Sequence, residues 1–401
     1  MRSALRLPDE LAVANVGRPR MEPLEDLAHA MRAAWAEPLN FPGLSQCVVP
    51  GDEVVLVLGE ALVQPAALVA GTVMELLDAG VDPESITVLR HATDARLTRE
   101  SPTRLLPEDL QASIEVIAHD AANREQLCML NVSSHDSPIY LNRAIVEADV
   151  VIPFGVTRPT KSLGSLGLAG VLFPAFADEA TQQRFNSPKA ARSSAKRKAL
   201  IEEAQEAYWF LGVQFVVQTI PGNGETLLHI VTGETTSVEQ RSLELCEAIW
   251  NCEVPQRAQL VVATLPGGRQ QQSWTSFARA LDAASRVVEE GGTIAVCCDL
   301  RSKPGPTLRR IARAESLDDA VRIVGKQHTA DAVAAATLVK TLQRTRVYLL
   351  SRLDEERVES LGVAYVSGPD EVVRLASQHD SCVVLQNAQQ VMPRLSEESS
   401  S

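Results

Sequence analysis

The sequence predicts an α/β protein of two units, each a mixed or parallel sheet covered by helices, with a cleft between them. Three observations carry this. Short apolar runs alternate with helical stretches, as in sheets buried on both faces. The alternation restarts near Pro255, after a helix. At 401 residues the chain is long enough for two domains.

The elements follow in order. Residues 1–45 read as an irregular lead with one helix near Leu24–Ala36. "DEVVLVLG" (Asp52–Gly59) is a strand, and "PAALVAGTVMELLDAG" (Pro65–Gly80) is a helix that ends on glycine. Further strands are expected at Ser85–Arg90, Ser113–Asp120 and Ala148–Gly155. Residues 189–210 read as a helix with a basic, solvated start. "VQFVVQTIPGNGETLLHIVTGE" (Val213–Glu234) reads as a hairpin around Pro-Gly-Asn-Gly. The second unit opens with a strand at Ala258–Pro266 and a helix at Ser276–Gly292 closed by two glycines. Strands then follow at Thr293–Leu300, Arg346–Ser351 and Ser381–Gln386. The expected division is a lead over 1–45, a first α/β domain over 46–255, a second over 256–393, and a disordered tail over 394–401.

Composition excludes several functions. The formal charge of −13 argues against nucleic acid or anionic lipid as the main partner. No stretch reaches the roughly 18 uncharged apolar residues of a membrane span, and the N-terminus carries no apolar signal-peptide core. Seven cysteines lack regular spacing, and Cys297 and Cys298 are adjacent, where a mutual disulfide would be strained. Reduced thiols and a cytoplasmic location are expected.

The candidate functional stretch is "RPTKSLGSLGLAGVLFPAF" (Arg158–Phe176), which follows the apolar run "ADVVIPFGV". Gly164, Gly167 and Gly170 give G-x-x-G-x-x-G, not the G-x-G-x-x-G of a dinucleotide site, and the loop has no G-K-[ST] end. It contains no His, Cys, Asp or Glu. H-E-x-x-H, C-x-x-C and G-x-S-x-G are absent from the chain, and the seven histidines stand apart.

Several stretches nevertheless occur in a specific order: "VIAHDAANREQL" with His119 and Asp120, "SPIYLNRAIVEADVVIPFG", "LGSLGLAGVLFP", "RFNS", "ARALDAASRVVEEGGTIAV" and "RVYLLSRLDEERVESLGV". Together, over roughly residues 45–393, they resemble the lactate racemase family, whose members carry a nickel-pincer nucleotide. The resemblance implies two α/β domains around an active-site cleft. It also implies racemisation of a 2-hydroxy acid, in which hydride passes from lactate to the cofactor and returns to either face.

The family's reactive side chains are not matched. Its D-x-T-R stretch falls on "GEAL", so a substrate-binding arginine becomes Leu62. Its two acid-base histidines fall on Asp94 and Thr160, its cofactor-tethering lysine on Gly170, and its nickel-ligating histidine on Ser187. The Y-Q-x-x-K positions fall on Thr275, Ser276 and Arg279, of which only Arg279 keeps its charge. Leucine cannot give a carboxylate two parallel hydrogen bonds. Glycine offers no amine, and serine is a poor ligand where imidazole suits nickel. An aspartate with its ordinary pKa near 4 is a weak base at pH 7. His91, Lys161 and Lys189 stand close enough in sequence to replace lost groups. Neither metal nor cofactor is expected to be bound.

What remains to line the cleft is Glu60, Asp94, His119, Arg158, Lys161 and Arg279. The positive charge of Arg158 and Lys161, with Arg279 placed in a helix's first turn, favours a small carboxylate or phosphate. His119 and Asp120 also fit a purely structural role, capping a strand and the helix after it. Three readings stay open: a degenerate anion-binding relative, a 2-hydroxy acid racemase or epimerase using substituted residues, and a non-catalytic partner, in a homo- or hetero-oligomer, of an active homologue.

Overall fold

A computed structural model describes residues 12–134, 136–188 and 193–396. Its strands are β1 (Ala12–Val16), β2 (Val54–Leu58), β3 (Ile86–Arg90), β4 (Glu115–Ala118), β5 (Leu127–Val132), β6 (Pro138–Asn142), β7 (Val150–Val156) and β8 (Phe215–Pro221). The remainder are β9 (Leu227–Glu234), β10 (Asn251–Val254), β11 (Ala258–Thr264), β12 (Val288–Cys297), β13 (Arg346–Leu350), β14 (Ala364–Val366), β15 (Cys382–Leu385) and β16 (Met392–Leu395).

Two six-stranded sheets organise the chain. The first has the order β4-β3-β2-β7-β8-β9 and is parallel except for the antiparallel β8–β9 hairpin. The second has the order β1-β15-β11-β12-β13-β14 and is parallel throughout. The protein is thus the expected α/β fold of mixed and parallel sheets.

The apolar runs explain the layering. All five residues of β2, "VVLVL", are buried because helices cover both faces of the sheet. On one face lie helices Leu27–Ala36 and Pro65–Asp78, through Met31, Trp35, Leu68 and Leu76. On the other lie the segment after β7 and helices Ser194–Phe210 and Thr235–Trp250, through Leu172, Phe176, Ala207 and Trp250. In the second unit, helix Trp274–Ser285 buries Trp274, Phe277 and Leu281 against the sheet. The Ser273 hydroxyl caps that helix, accepting from the Ser276 N–H at 3.1 Å.

Four expectations are corrected. The N-terminal lead contains β1, which pairs with β15 in the far sheet; a five-residue "AVANV" run is too short to declare itself locally. The expected tail is ordered at its start, because Met392–Leu395 pairs with β10; residues 397–401 lie outside those described. The helix of the second unit ends at Ser285 rather than at the glycines, because "VEEGG" from Val288 already belongs to β12, where Gly291 takes φ +73°. Arg279 is accordingly the sixth residue of its helix, not a first-turn residue, so the helix dipole adds little there.

Candidate functional site

Parallel strands bring their C-terminal ends to one edge, where α/β sheets place ligands. In the first sheet, Glu60 follows β2, His91 follows β3 and Arg158 follows β7. The second sheet answers from across the cleft. Arg279 donates from Nε to the Leu163 carbonyl at 3.2 Å, and the Arg158 guanidinium donates to Gln390 Oε1 at 2.9 Å. Gln271, in the loop after β11, donates to the carbonyls of Ala61 and Leu62 at 3.3 and 3.1 Å.

Glu60, His91, Arg158 and Arg279 line one crevice of about 140 Å³ with Gly164, Gly167 and Gly170. Gly164 and Gly167 adopt φ +73° and +72°, a left-handed backbone that glycine takes without strain. Burial, the nearby Arg279 charge and weak compensation from Glu60 push Arg158 down to about 9. Arg279 is also lowered by burial, and Glu60 again opposes the shift. The crevice therefore holds two desolvated guanidiniums that repel one another.

Beside it lies a second cavity of about 270 Å³, lined by Leu62, Arg90, His91 and Asp94 among others. The Asp94 carboxyl accepts from the Ala61 N–H at 2.9 Å through Oδ2, while Oδ1 has no hydrogen-bond partner. Burial and the Glu60 charge push Asp94 up to about 8, against the Ala61 N–H and Arg90. Against the expectation of an ordinary aspartate near 4, burial moves Asp94 toward its protonated, proton-donating form. His91 lines both cavities, and burial holds its imidazole below the ordinary value.

Other expected residues are not brought together with this group. Lys161 is exposed and lines a larger cavity beyond the glycine loop. His119 is 3% exposed, wedged against Phe176, within hydrogen-bond reach of the Ala177 carbonyl and the Asn142 side chain, and pushed down by burial to about 4. It braces the segment after the loop, as the structural reading held, and Asp120 caps a local turn at the Ala122 N–H, not a helix. Thr160 turns away to Glu247, donating from its N–H and hydroxyl at 3.2 and 2.7 Å. Leu62 is buried in the core. Ser187 is half-buried, and Lys189 lies outside the described residues.

This edge-to-edge arrangement can be compared with known proteins. The lactate racemase N-terminal domain family matches residues 2–187. Over residues 2–187 the chain is thus lactate-racemase-like. Its fold is similar to that of the lactate racemase apoprotein from Thermoanaerobacterium thermosaccharolyticum, with TM-score 0.77 and 16% identity over 97% of this chain and 96% of that one. A protein from Thermotoga maritima is similar with TM-score 0.67 and 14% identity, over 93% and 99% of the two chains. At these identities the likeness is one of fold. No curated protein matches the chain.

The family's nickel-pincer nucleotide does not fit the residues present. A Cβ built on Gly170 would lie 2.8 Å from the Leu166 Cβ, so the packing has closed over the tether position as well as losing the amine. Among the described residues, no group of three His, Cys, Asp or Glu side chains is placed to hold a metal ion.

Sequence reasoning missed Gln271 and Gln390, which carry no motif. The signal available was compositional: "GRQQQSW" and "QNAQQ" follow predicted strands, and five of their amide residues, Gln271, Gln272, Asn387, Gln389 and Gln390, are buried.

Proposed function

We propose that this lactate-racemase-like protein binds a small carboxylate or phosphate between Arg158 and Arg279, without nickel-dependent hydride transfer. The observation that carries this reading is the pair of guanidiniums converging from two sheets on one 140 Å³ crevice, with Glu60 as the carboxylate acting on both. Glycine backbone at the crevice wall lets N–H groups approach a ligand and add donors. Charge-assisted hydrogen bonds shielded from water contribute roughly 1.5–3 kcal/mol each. Two or three suffice for micromolar to millimolar affinity after the cost of association. Lys161, first grouped with Arg158, drops out of the site. The loss of hydride transfer is supported by Gly170, its contact with Leu166, and Ser187. A cytoplasmic setting is supported by seven cysteines, none of them paired.

A thermal-shift screen of hydroxy acids, sugar acids and phosphates tests the reading. At least one anion should raise Tm, and the gain should vanish in Arg158→Ala and Arg279→Ala but persist in Lys161→Ala. If no anion stabilises the protein, or the arginine variants respond like the parent, the anion-binding reading fails and a scaffold role beside an active homologue takes its place.

The neighbouring His91 and Asp94 favour a second reading, an isomerase of a 2-hydroxy acid using substituted residues. A deprotonated imidazole and a protonated carboxyl on one cavity wall can accept and donate a proton at neutral pH. Incubation of single enantiomers of 2-hydroxy acids with the purified protein, followed by chiral separation, decides it. Retention of optical purity by every substrate removes this reading.

A further inference from the structure

The glycine loop also bounds a much larger cavity, of about 1050 Å³, which shares Arg158, Leu166 and Gly167 with the arginine crevice but not Arg279. Its walls are mainly apolar: Leu166 and Leu168 from the loop, Ile201, Tyr208 and Trp209 from helix Ser194–Phe210, and Leu243 from helix Thr235–Trp250. Neither the anion crevice nor the Asp94 cavity needs this space.

Two polar side chains on its wall, Tyr208 at the hydroxyl and Gln218 at the amide nitrogen, have a buried atom without a hydrogen-bond partner. Gln218, on strand β8, is 4% exposed. Its Oε1 accepts from the Thr157 hydroxyl at 3.1 Å, while its side-chain nitrogen has no acceptor. A buried amide N–H without a partner is destabilising, so an acceptor supplied from the cavity would recover that loss. The same cavity carries Arg158, Lys161 and Arg197 against Glu234 and Glu239, a small excess of positive charge. Lys161 and Arg197 line it, and among the described residues neither is in an ion pair; Arg197 spends its donors on the Thr160 and Ser165 carbonyls. Glu239, the nearest acidic wall residue to the loop, is already engaged by the Leu168 N–H.

We propose that this cavity is a second ligand site, for a monocarboxylate with a long apolar tail. The tail would cover the Leu166, Ile201 and Leu243 walls. The head is an acceptor with negative charge, which suits an unpaired amide N–H and unpaired cations. A carboxylate needs no donor in return, unlike an alcohol or an amide. The volume suits a chain of a dozen carbons and greatly exceeds that of a lactate-sized acid.

The test is titration of the full chain with sodium dodecanoate below its micellar concentration, read by tryptophan fluorescence and by Tm. Trp209 lies on the cavity wall and is 76% exposed, so a bound chain should shift its emission. Dodecanoate should bind at least tenfold more tightly than hexanoate and at least tenfold more tightly than dodecylammonium. Gln218→Leu should weaken dodecanoate at least fivefold, and Leu243→Trp, which fills the cavity, should abolish binding. Circular dichroism establishes that the variants are folded, and Leu243→Trp keeps the test decisive if Gln218→Leu is not. Equal affinity for dodecanoate and dodecylammonium overturns the proposal, as does a folded Leu243→Trp that binds like the parent. Failure here leaves the arginine crevice untouched, because short anions and Arg279→Ala report on that site alone.

Discussion

The two faces of the glycine loop differ in size, polarity and origin. The inner face closes a crevice of about 140 Å³ between the two units, with the buried Arg279 and the half-buried Arg158. The outer face bounds about 1050 Å³ within the first unit, mostly apolar, with one buried amide left unpaired. One loop serves both: Ser165, Leu166 and Gly167 line each of them, as does Arg158 just before the loop. The lesson is that a loop can lose its reactive groups and keep its architecture, since glycine conformation and apolar packing are separate requirements from chemistry.

Gly170→Lys tests that separation most severely. Restoring an amine at the tether position forces a side chain into Leu166, and overpacking of this kind costs about 1–3 kcal/mol, read as a lower urea midpoint. The variant, made alongside the cofactor-synthesis enzymes, should still carry well under one nickel per chain. By contrast, Gly164→Ala meets open space and pays only the left-handed backbone cost, roughly 1 kcal/mol. A Gly170→Lys protein as stable as the parent would show that the loop has not closed.

Arg279→Met sharpens the contrast between faces. It removes one of two mutually repelling charges, so the ligand-free protein should lose less than about 1 kcal/mol or gain stability. Stabilisation by short anions should disappear while dodecanoate binding stays unchanged. Loss of both responses would mean that the two cavities act as one.

Asp94→Asn gives an effect with a defined pH course. The folded pKa, raised to about 8 from an unfolded value near 4, means the unfolded chain releases its proton first. The contribution is therefore fully present below pH 4 and is lost as pH rises toward 8, by at most roughly 1.4 kcal/mol per pH unit. Asparagine does not titrate, so the variant's stability should be flatter between pH 4 and 8 in urea unfolding curves. An unchanged slope would place the Asp94 pKa near its ordinary value.

The smallest effect is expected at Thr160. Thr160→Val removes a hydroxyl bond to Glu247 at the surface, about 0.5–1 kcal/mol, and should leave both ligand responses intact. Altered anion binding would show that this position reaches the crevice after all.

Much of the framework was legible in the residues. The apolar runs marked the central strands of both sheets, the Pro-Gly-Asn-Gly turn marked the β8–β9 hairpin, and the order of motifs indicated the family. Among candidate residues, Glu60, Arg158, Arg279 and the three glycines do line one crevice. Lys161 and His119 do not, although both flank predicted strand ends, because spacing reveals which edge a residue is near and not which way its side chain turns.

By itself, then, the sequence determined the layers of apolar strands and helices, the glycine backbone of the loop, and the absence of the family's lysine and histidines at the matched positions. Local periodicity and residue chemistry suffice for those. Only the tertiary structure decided that β1 crosses to the far sheet, that Arg158 and Arg279 share one crevice, and that burial raises the Asp94 pKa. Each of these depends on contacts between residues distant in the chain, and on burial that strips water from a charge. Neither quantity is written in any short stretch of residues.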